Sequence, residues 1–275
     1  MTRNTAIVWG ILTTAMLTGA APAAQAQVRI VMLHHSTGRN LLAEGDVRIE
    51  LLHAAGDKAP APVLWDHDYN YVGLSNSAGV KLGYSFNIPD DNTDPDGLHK
   101  LWTTDNAARD SLLSRFDVIV FKSCYEPTNL IRTDAQLQQY KDWYLEIREV
   151  LDQHPDKVFV LFTPPALTPL WPNSTVEWAD RARNFANWMK SDTFLAGHPN
   201  LRVFDFFDIL ANPDDGSPQR NMLRQEFLRN YPNIDGHPNA LANRTAAPLL
   251  AQALMEAASV PSEGTSWGGL KALSR

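Results

Sequence analysis

The chain of 275 residues contains a single cysteine, Cys124. That excludes an intramolecular disulfide framework and any cysteine-rich zinc or iron–sulfur centre. It also lacks a basic run. Its 24 lysines and arginines face 31 aspartates and glutamates, for a net charge of −7, so the cationic footprint of a nucleic-acid binder is missing. Glycine and proline, at 15 and 18 residues, stay within ordinary usage, which excludes collagen-like and low-complexity chains. With 44% hydrophobic and 20% charged residues, the composition is that of a chain that buries a core.

No apolar run is long enough to cross a bilayer as a helix. The stretch at 6–17 (AIVWGILTTAML) follows Arg3 and precedes Ala24-Gln25-Ala26, the three parts of a secretory signal peptide. Cleavage after Ala26 is expected, with export of residues 27–275 as one domain and no membrane anchor. Cys124 lies far from this segment, so a lipid-bearing cysteine is not expected there.

The remaining chain alternates strand and helix signals. Continuous apolar runs at 28–33 (VRIVML), 117–121 (DVIVF), 157–162 (KVFVLF) and 201–204 (LRVF) suit the interior of a parallel sheet covered on both faces. Between them, Leu137, Tyr140, Tyr144, Ile147 and Leu151 recur at helical spacing behind a Thr133/Gln136 capping box. Ser174 and Glu177 repeat that signature before Trp178, Phe185 and Met189. Further helices are expected over 219–229 and in a C-terminal stretch that Pro248 should bend or delay. The alternation predicts a three-layer α/β/α sandwich with a mostly parallel, flavodoxin-like sheet. Residues 56–101 break the rhythm: loop-rich, acidic and aromatic, they read as an ordered insertion without a helix over one end of the sheet.

Sites in parallel α/β sheets form where the strands end at their carboxyl edge. The first strand delivers His34, His35 and Ser36 to that edge, followed by Gly38. The second delivers Ser123 and Cys124, then Asn129. A late loop, Asn233-Ile234-Asp235-Gly236-His237-Pro238-Asn239, brings an acid and a histidine just before the last helix.

A serine right after the first strand, a polar turn after a middle strand, and Asp-x-His-Pro-Asn before the last helix together resemble the SGNH (GDSL-like) hydrolase superfamily. The resemblance spans the chain from the first strand to the last helix, with His35-Ser36-Thr37-Gly38 standing where the family has Gly-Asp-Ser. It implies an ester hydrolase, often a deacetylase of carbohydrates, with Ser36 as nucleophile, His237 as base and Asp235 orienting that base. It further implies an oxyanion hole from the Ser36 amide and Asn129. The separate oxyanion glycine is not assigned among Gly73, Gly79 and Gly83.

The chemistry fits those residue types. A serine hydroxyl attacks effectively only when a base takes its proton, and an imidazole with an ordinary pKa of about 6.5 suits that task. An acid fixing the tautomer is worth about 10⁴-fold in a full triad. Asp235 stands two residues before His237, where the family has three, so either Asp235 or a backbone carbonyl is the candidate partner of the ring. Each residue also has a plain structural use. Ser36 could cap a helix, Asp235-Gly236 could be only a turn, and Cys124 suits a small buried hydrophobe.

Around this centre, His35, Trp65 and Asp66 are candidates for substrate contacts. Trp65, Trp102 and Trp171 are expected in loops or at element ends, where aromatic faces can stack on sugars. The spacing of Asn92, Asp94 and Asp96 before Gly97 is that of a calcium loop, so a structural calcium is a candidate. Acidic-turn hydrogen bonding is the other reading. The ester reaction itself requires no cofactor. The expected partner is a small-molecule or glycan ester. Two other functions compete: glycan binding without catalysis, and a metal-dependent or glycoside hydrolase built on His34, His35, Asp66 and His67.

Overall fold

In the computed structural model, which describes residues 27–57, 60–68, 72–83, 95–123, 131–171, 174–230 and 235–260, the apolar runs lie side by side as a sheet. Its strands are β1 (Arg29–His34), β2 (Val63–Asp68), β3 (Gly73–Ser75), β4 (Lys81–Gly83), β5 (Val118–Phe121), β6 (Val158–Phe162) and β7 (Leu201–Phe204). Their spatial order is β4-β3-β2-β1-β5-β6-β7. The pairs among β2, β1, β5, β6 and β7 are parallel, and β3 and β4 extend the edge antiparallel. The parallel part has the strand order of a flavodoxin-like fold.

The helices are α1 (Thr37–Glu44), α2 (Val47–Ala55), α3 (Pro95–Thr103), α4 (Ala107–Arg115), α5 (Asp134–Leu151), α6 (Val176–Met189), α7 (Asp192–Leu195), α8 (Phe206–Leu210) and α9 (Ala240–Ala258). Strand side chains alternate between faces, which divides the core in two. Ile30, Met32, Leu64, Val118 and Val120 pack against α1, α2, α8 and α9. Val31, Leu33, Ile119, Phe121 and Phe159 pack against α3, α4, α5 and α7. The result is a three-layer α/β/α sandwich. A small antiparallel pair, β8 (Leu228–Arg229) and β9 (Asp235–Pro238), leads into α9.

Helix α5 begins where its cap stands: Thr133 Oγ1 accepts from the Gln136 amide at 3.1 Å, and the expected stripe from Leu137 to Leu151 is buried. The cap of α6 is Thr175, not Ser174. Thr175 Oγ1 accepts from the Trp178 amide, whereas the Ser174 hydroxyl donates to the Thr168 carbonyl.

Three further expectations need correcting. Residues 56–101 are not a helix-free insertion over the sheet; they supply β2, β3, β4 and α3, so they extend the sheet itself. Residues 219–229 are not a helix. The Leu223 amide donates to the Leu167 carbonyl at 2.7 Å and the Arg224 amide to that of Leu210 at 3.0 Å, leaving only a single 3₁₀ turn at Gln225–Phe227. Pro248 does not delay the last helix. It sits exposed inside α9, where water can bond the carbonyl that its missing amide leaves.

Candidate active site

Ser36 occupies the turn between β1 and α1 with φ +39° and ψ −92°, a region that non-glycine residues avoid and that is typically held by its surroundings. It stands at the N-cap position, yet its side chain makes no capping hydrogen bond. Instead, Ser36 Oγ is hydrogen-bonded to Nε2 of His237. The partners are 201 positions apart in sequence and meet at the carboxyl edge of the sheet.

The short strand β9 accounts for the acid. Residues i and i+2 of a strand share a face, so Asp235 stands beside His237 with one residue between them. His237 Nδ1 donates to Asp235 Oδ1 at 2.6 Å, and the same oxygen accepts from the His237 amide at 3.0 Å. Burial alone would raise the Asp235 carboxyl. The two bonds from His237 outweigh it, and the carboxyl is held below its ordinary value. An ionised Asp235 fixes the proton on Nδ1 and makes Nε2 the acceptor for the serine hydroxyl.

The histidine strand is fastened to the serine helix. The Arg229 guanidinium donates to the Pro238 carbonyl at 2.7 Å and to Glu44 at the end of α1 at 2.6 Å. That hydrogen bond leads the effects that hold the Glu44 carboxyl below its usual range. Asn239 caps α9, accepting from the Ala242 amide at 3.0 Å while donating to the Glu226 and Leu228 carbonyls.

Beneath the edge, on the α1 side of the sheet, lies a polar layer. The His34 ring donates from Nε2 to Asp66 Oδ2 at 2.9 Å, and Arg48 bonds the other oxygen. Burial pushes the Asp66 carboxyl up, but the bonds and charges of His34 and Arg48 prevail and hold it low. Arg39 pairs with the buried Asp68 at 2.6 Å. These groups line a cleft of about 270 Å³ together with Ser75 and Lys81.

The other expected site residues fall as follows. Asp66 does not present a free carboxylate, because both of its oxygens are taken by His34 and Arg48. Trp65, its neighbour on β2, points to the opposite face, where it is half-buried and packs edge-on against Phe116 at 5.9 Å. Trp102 is fully buried on that same side. Trp171 is half-buried in a turn. His35 is half-buried beside Ser36, and its carbonyl accepts from the Gly38 amide at 2.8 Å.

Asn129, Cys124, Asn92 and Asp94 lie outside the described residues. Asp96 lies in the first turn of α3, 3.1 Å from Lys100, and among the described residues no three acid, imidazole or thiol groups are placed to hold one ion. Alternation explains why Asp66 and His67 do not join in such a set: they are consecutive on one strand and face opposite sides.

Sequence reasoning missed Lys122. It follows the apolar run DVIVF at the end of β5 and is 1% exposed. A lysine continuing a buried strand toward the carboxyl edge was the signal.

Comparison with known proteins gives no match to any family model and none to any curated protein. Among solved structures, the chain is similar to a G-D-S-L family lipolytic protein from Desulfitobacterium hafniense DCB-2 at 12% identity and TM-score 0.47, covering 82% of this chain and 99% of that one. It is also similar to an acylhydrolase from Bacteroides fragilis NCTC 9343 at 9% identity and TM-score 0.48, covering 84% and 88%. A third is a salicylyl acyltransferase from a tetracycline biosynthetic pathway, at 15% identity and TM-score 0.45 over 86% of this chain. The match spans little more than half of that acyltransferase, 56%.

Proposed function

We propose that the protein is an exported serine ester hydrolase of the SGNH type, acting on an acyl ester, in the first place an acetyl ester, of a carbohydrate. The observation that carries the ester chemistry is the chain of hydrogen bonds Ser36–His237–Asp235 at the carboxyl edge of a parallel sheet. The carbohydrate part rests on the resemblance alone; Trp102 is in the core and Trp65 faces away from the Asp66 side of the sheet. Export rests on the pattern at residues 1–26.

In this reading Ser36 Oγ bonds to the ester carbonyl carbon as its proton passes to His237 Nε2. The carbonyl oxygen takes the negative charge and is held by the Ser36 amide and, from the resemblance, by Asn129. Collapse breaks the bond to the alcohol oxygen, which leaves with the proton from His237. Water then gives a proton to His237 and attacks the acyl-serine. The carboxylic acid departs, and the proton returns to Ser36. Every proton is carried by the protein's own side chains, so no cofactor is required.

The test is labelling by a fluorophosphonate probe, with the adduct located by peptide mass spectrometry. Stoichiometric labelling at Ser36, lost in Ser36→Ala and His237→Ala, is the expected result. A folded wild-type protein that takes no label at Ser36, from this probe or a smaller sulfonyl fluoride, overturns the reading. Release of acetate from acetylated sugars then tests the substrate class.

A further inference from the structure

Lys122 is among the largest fully buried side chains of the described residues. Its position follows from register. Leu33 of β1 pairs with Phe121 of β5, so His34 and Lys122 come next, on neighbouring strands. Both continue the alternation of Met32 and Val120 and therefore face α1. Lys122 Nζ donates to the hydroxyl of Thr37 at 3.3 Å and to the carbonyl of Ser123 at 3.2 Å. Thr37, itself fully buried, is the residue directly after the candidate nucleophile.

Gly38 completes the arrangement. A Cβ at this position would lie 2.5 Å from the His34 Cβ and 3.1 Å from the Lys122 Cε. The first turn of α1 thus rests directly on the lysine stem and on the end of β1. A buried ammonium at a helix N-terminus adds positive charge where the helix dipole is already positive and where anions are the favoured neighbours. Helix α1 has no acidic residue in its first turn. An oxyanion forming over the Ser36 turn is such an anion.

We propose that Lys122 is a positioning residue of the ester-cleaving site: through the Thr37 hydroxyl it holds the strained Ser36 turn, and its charge favours the negatively charged transition state above it. This role rests on the serine-hydrolase reading. Lys122 does not touch the reacting atoms and carries no proton in the reaction.

The experiment measures p-nitrophenyl acetate hydrolysis and fluorophosphonate labelling rates for wild type, Lys122→Met, Lys122→Arg, Thr37→Val and the double variant Lys122→Met/Thr37→Val, each checked for its melting temperature. The expected result for Lys122→Met is a kcat lower by about 10- to 100-fold, somewhat below the loss of a direct oxyanion donor, with KM little changed. Lys122→Arg should recover part of that loss, because it keeps the charge and can still donate to Thr37. Thr37→Val should lower kcat, and the double variant should fall no further than Lys122→Met, since contacting residues in one network are non-additive.

Labelled wild type together with an unchanged kcat in Lys122→Met, or fully additive losses in the double variant, overturns the role of Lys122 and leaves the serine-hydrolase reading intact. If Lys122→Met does not fold, Thr37→Val and Lys122→Arg decide: wild-type kcat in Thr37→Val, or no activity in a folded Lys122→Arg, overturns the proposal. A wild type that neither labels nor hydrolyses overturns both readings.

Discussion

Asp235 meets His237 twice, accepting from the ring Nδ1 at 2.6 Å and from the backbone amide at 3.0 Å through the same carboxylate oxygen. The second bond makes the first one rigid. The acid is fixed relative to the backbone that carries the ring, so the two-residue spacing does the work that a longer spacing does elsewhere. Asp235→Asn keeps an acceptor for the amide but no longer selects the tautomer in which Nε2 accepts from Ser36. Its kcat on p-nitrophenyl acetate is expected to fall by about 10³- to 10⁴-fold with KM little changed. Near-wild-type turnover would remove Asp235 from the triad.

Much of this was legible beforehand, for identifiable reasons. The strands β1, β5, β6 and β7 are apolar on both faces because helices cover both, so each shows as an unbroken run. Strand β2 is equally covered, but its carboxyl half reads Asp66-His67-Asp68, because it lines the polar layer under the site edge. Periodicity cannot find a strand whose buried positions are charged, and so the segment around it read as an insertion. Ser36, Asp235 and His237 stood out because each follows or precedes a clear element. Lys122 did not, because its role depends on the β1–β5 register, which no local pattern shows.

The Asp66 pair makes acid stability a measurable property of the site. The Asp66 carboxyl is held below its ordinary value despite burial, by His34 and Arg48. A lowered folded-state value means stability that is fully present above the unfolded value of about 3.9. It is lost as the pH falls through the lower folded value. Removing the acid at neutral pH takes away the acceptor shared by the buried His34 ring and the partly exposed Arg48. Asp66→Ala is therefore expected to lower unfolding free energy by about 1–3 kcal/mol at pH 7, the cost of leaving a buried donor unsatisfied. Urea midpoints measured from pH 7 downward should show the gap to wild type narrowing below about pH 4, and a constant gap would contradict the pairing.

Gly38 offers a steric test. The 2.5 Å approach to the His34 Cβ leaves no room for a methyl group without moving α1 off the sheet. Gly38→Ala is expected to cost about 1–3 kcal/mol, as overpacking does, and to slow fluorophosphonate labelling at Ser36 as well, because the shifted helix starts at the serine turn. A variant that melts early but labels at the wild-type rate would show that the turn is held independently of the packing beneath it.

Asn239 links helix stability to the position of His237. Its side-chain oxygen caps α9 through the Ala242 amide, and its side-chain nitrogen donates to the Glu226 carbonyl at 2.8 Å and to the Leu228 carbonyl at 3.1 Å. The cap alone is worth about 1 kcal/mol, a modest loss for a helix whose apolar face runs from Ala242 to Leu254 in the core. The two donor bonds have another use: they pin the backbone two residues after His237 to the segment that pairs with its strand. Asn239→Asp isolates that use, since a carboxylate still caps the helix but cannot donate to either carbonyl. Asn239→Ala is expected to lose both stability and turnover, whereas Asn239→Asp should keep most of the melting temperature and still lose kcat. Equal turnover in Asn239→Asp and wild type would mean that Arg229, through its bonds to the Pro238 carbonyl and Glu44, suffices to place His237 against Ser36.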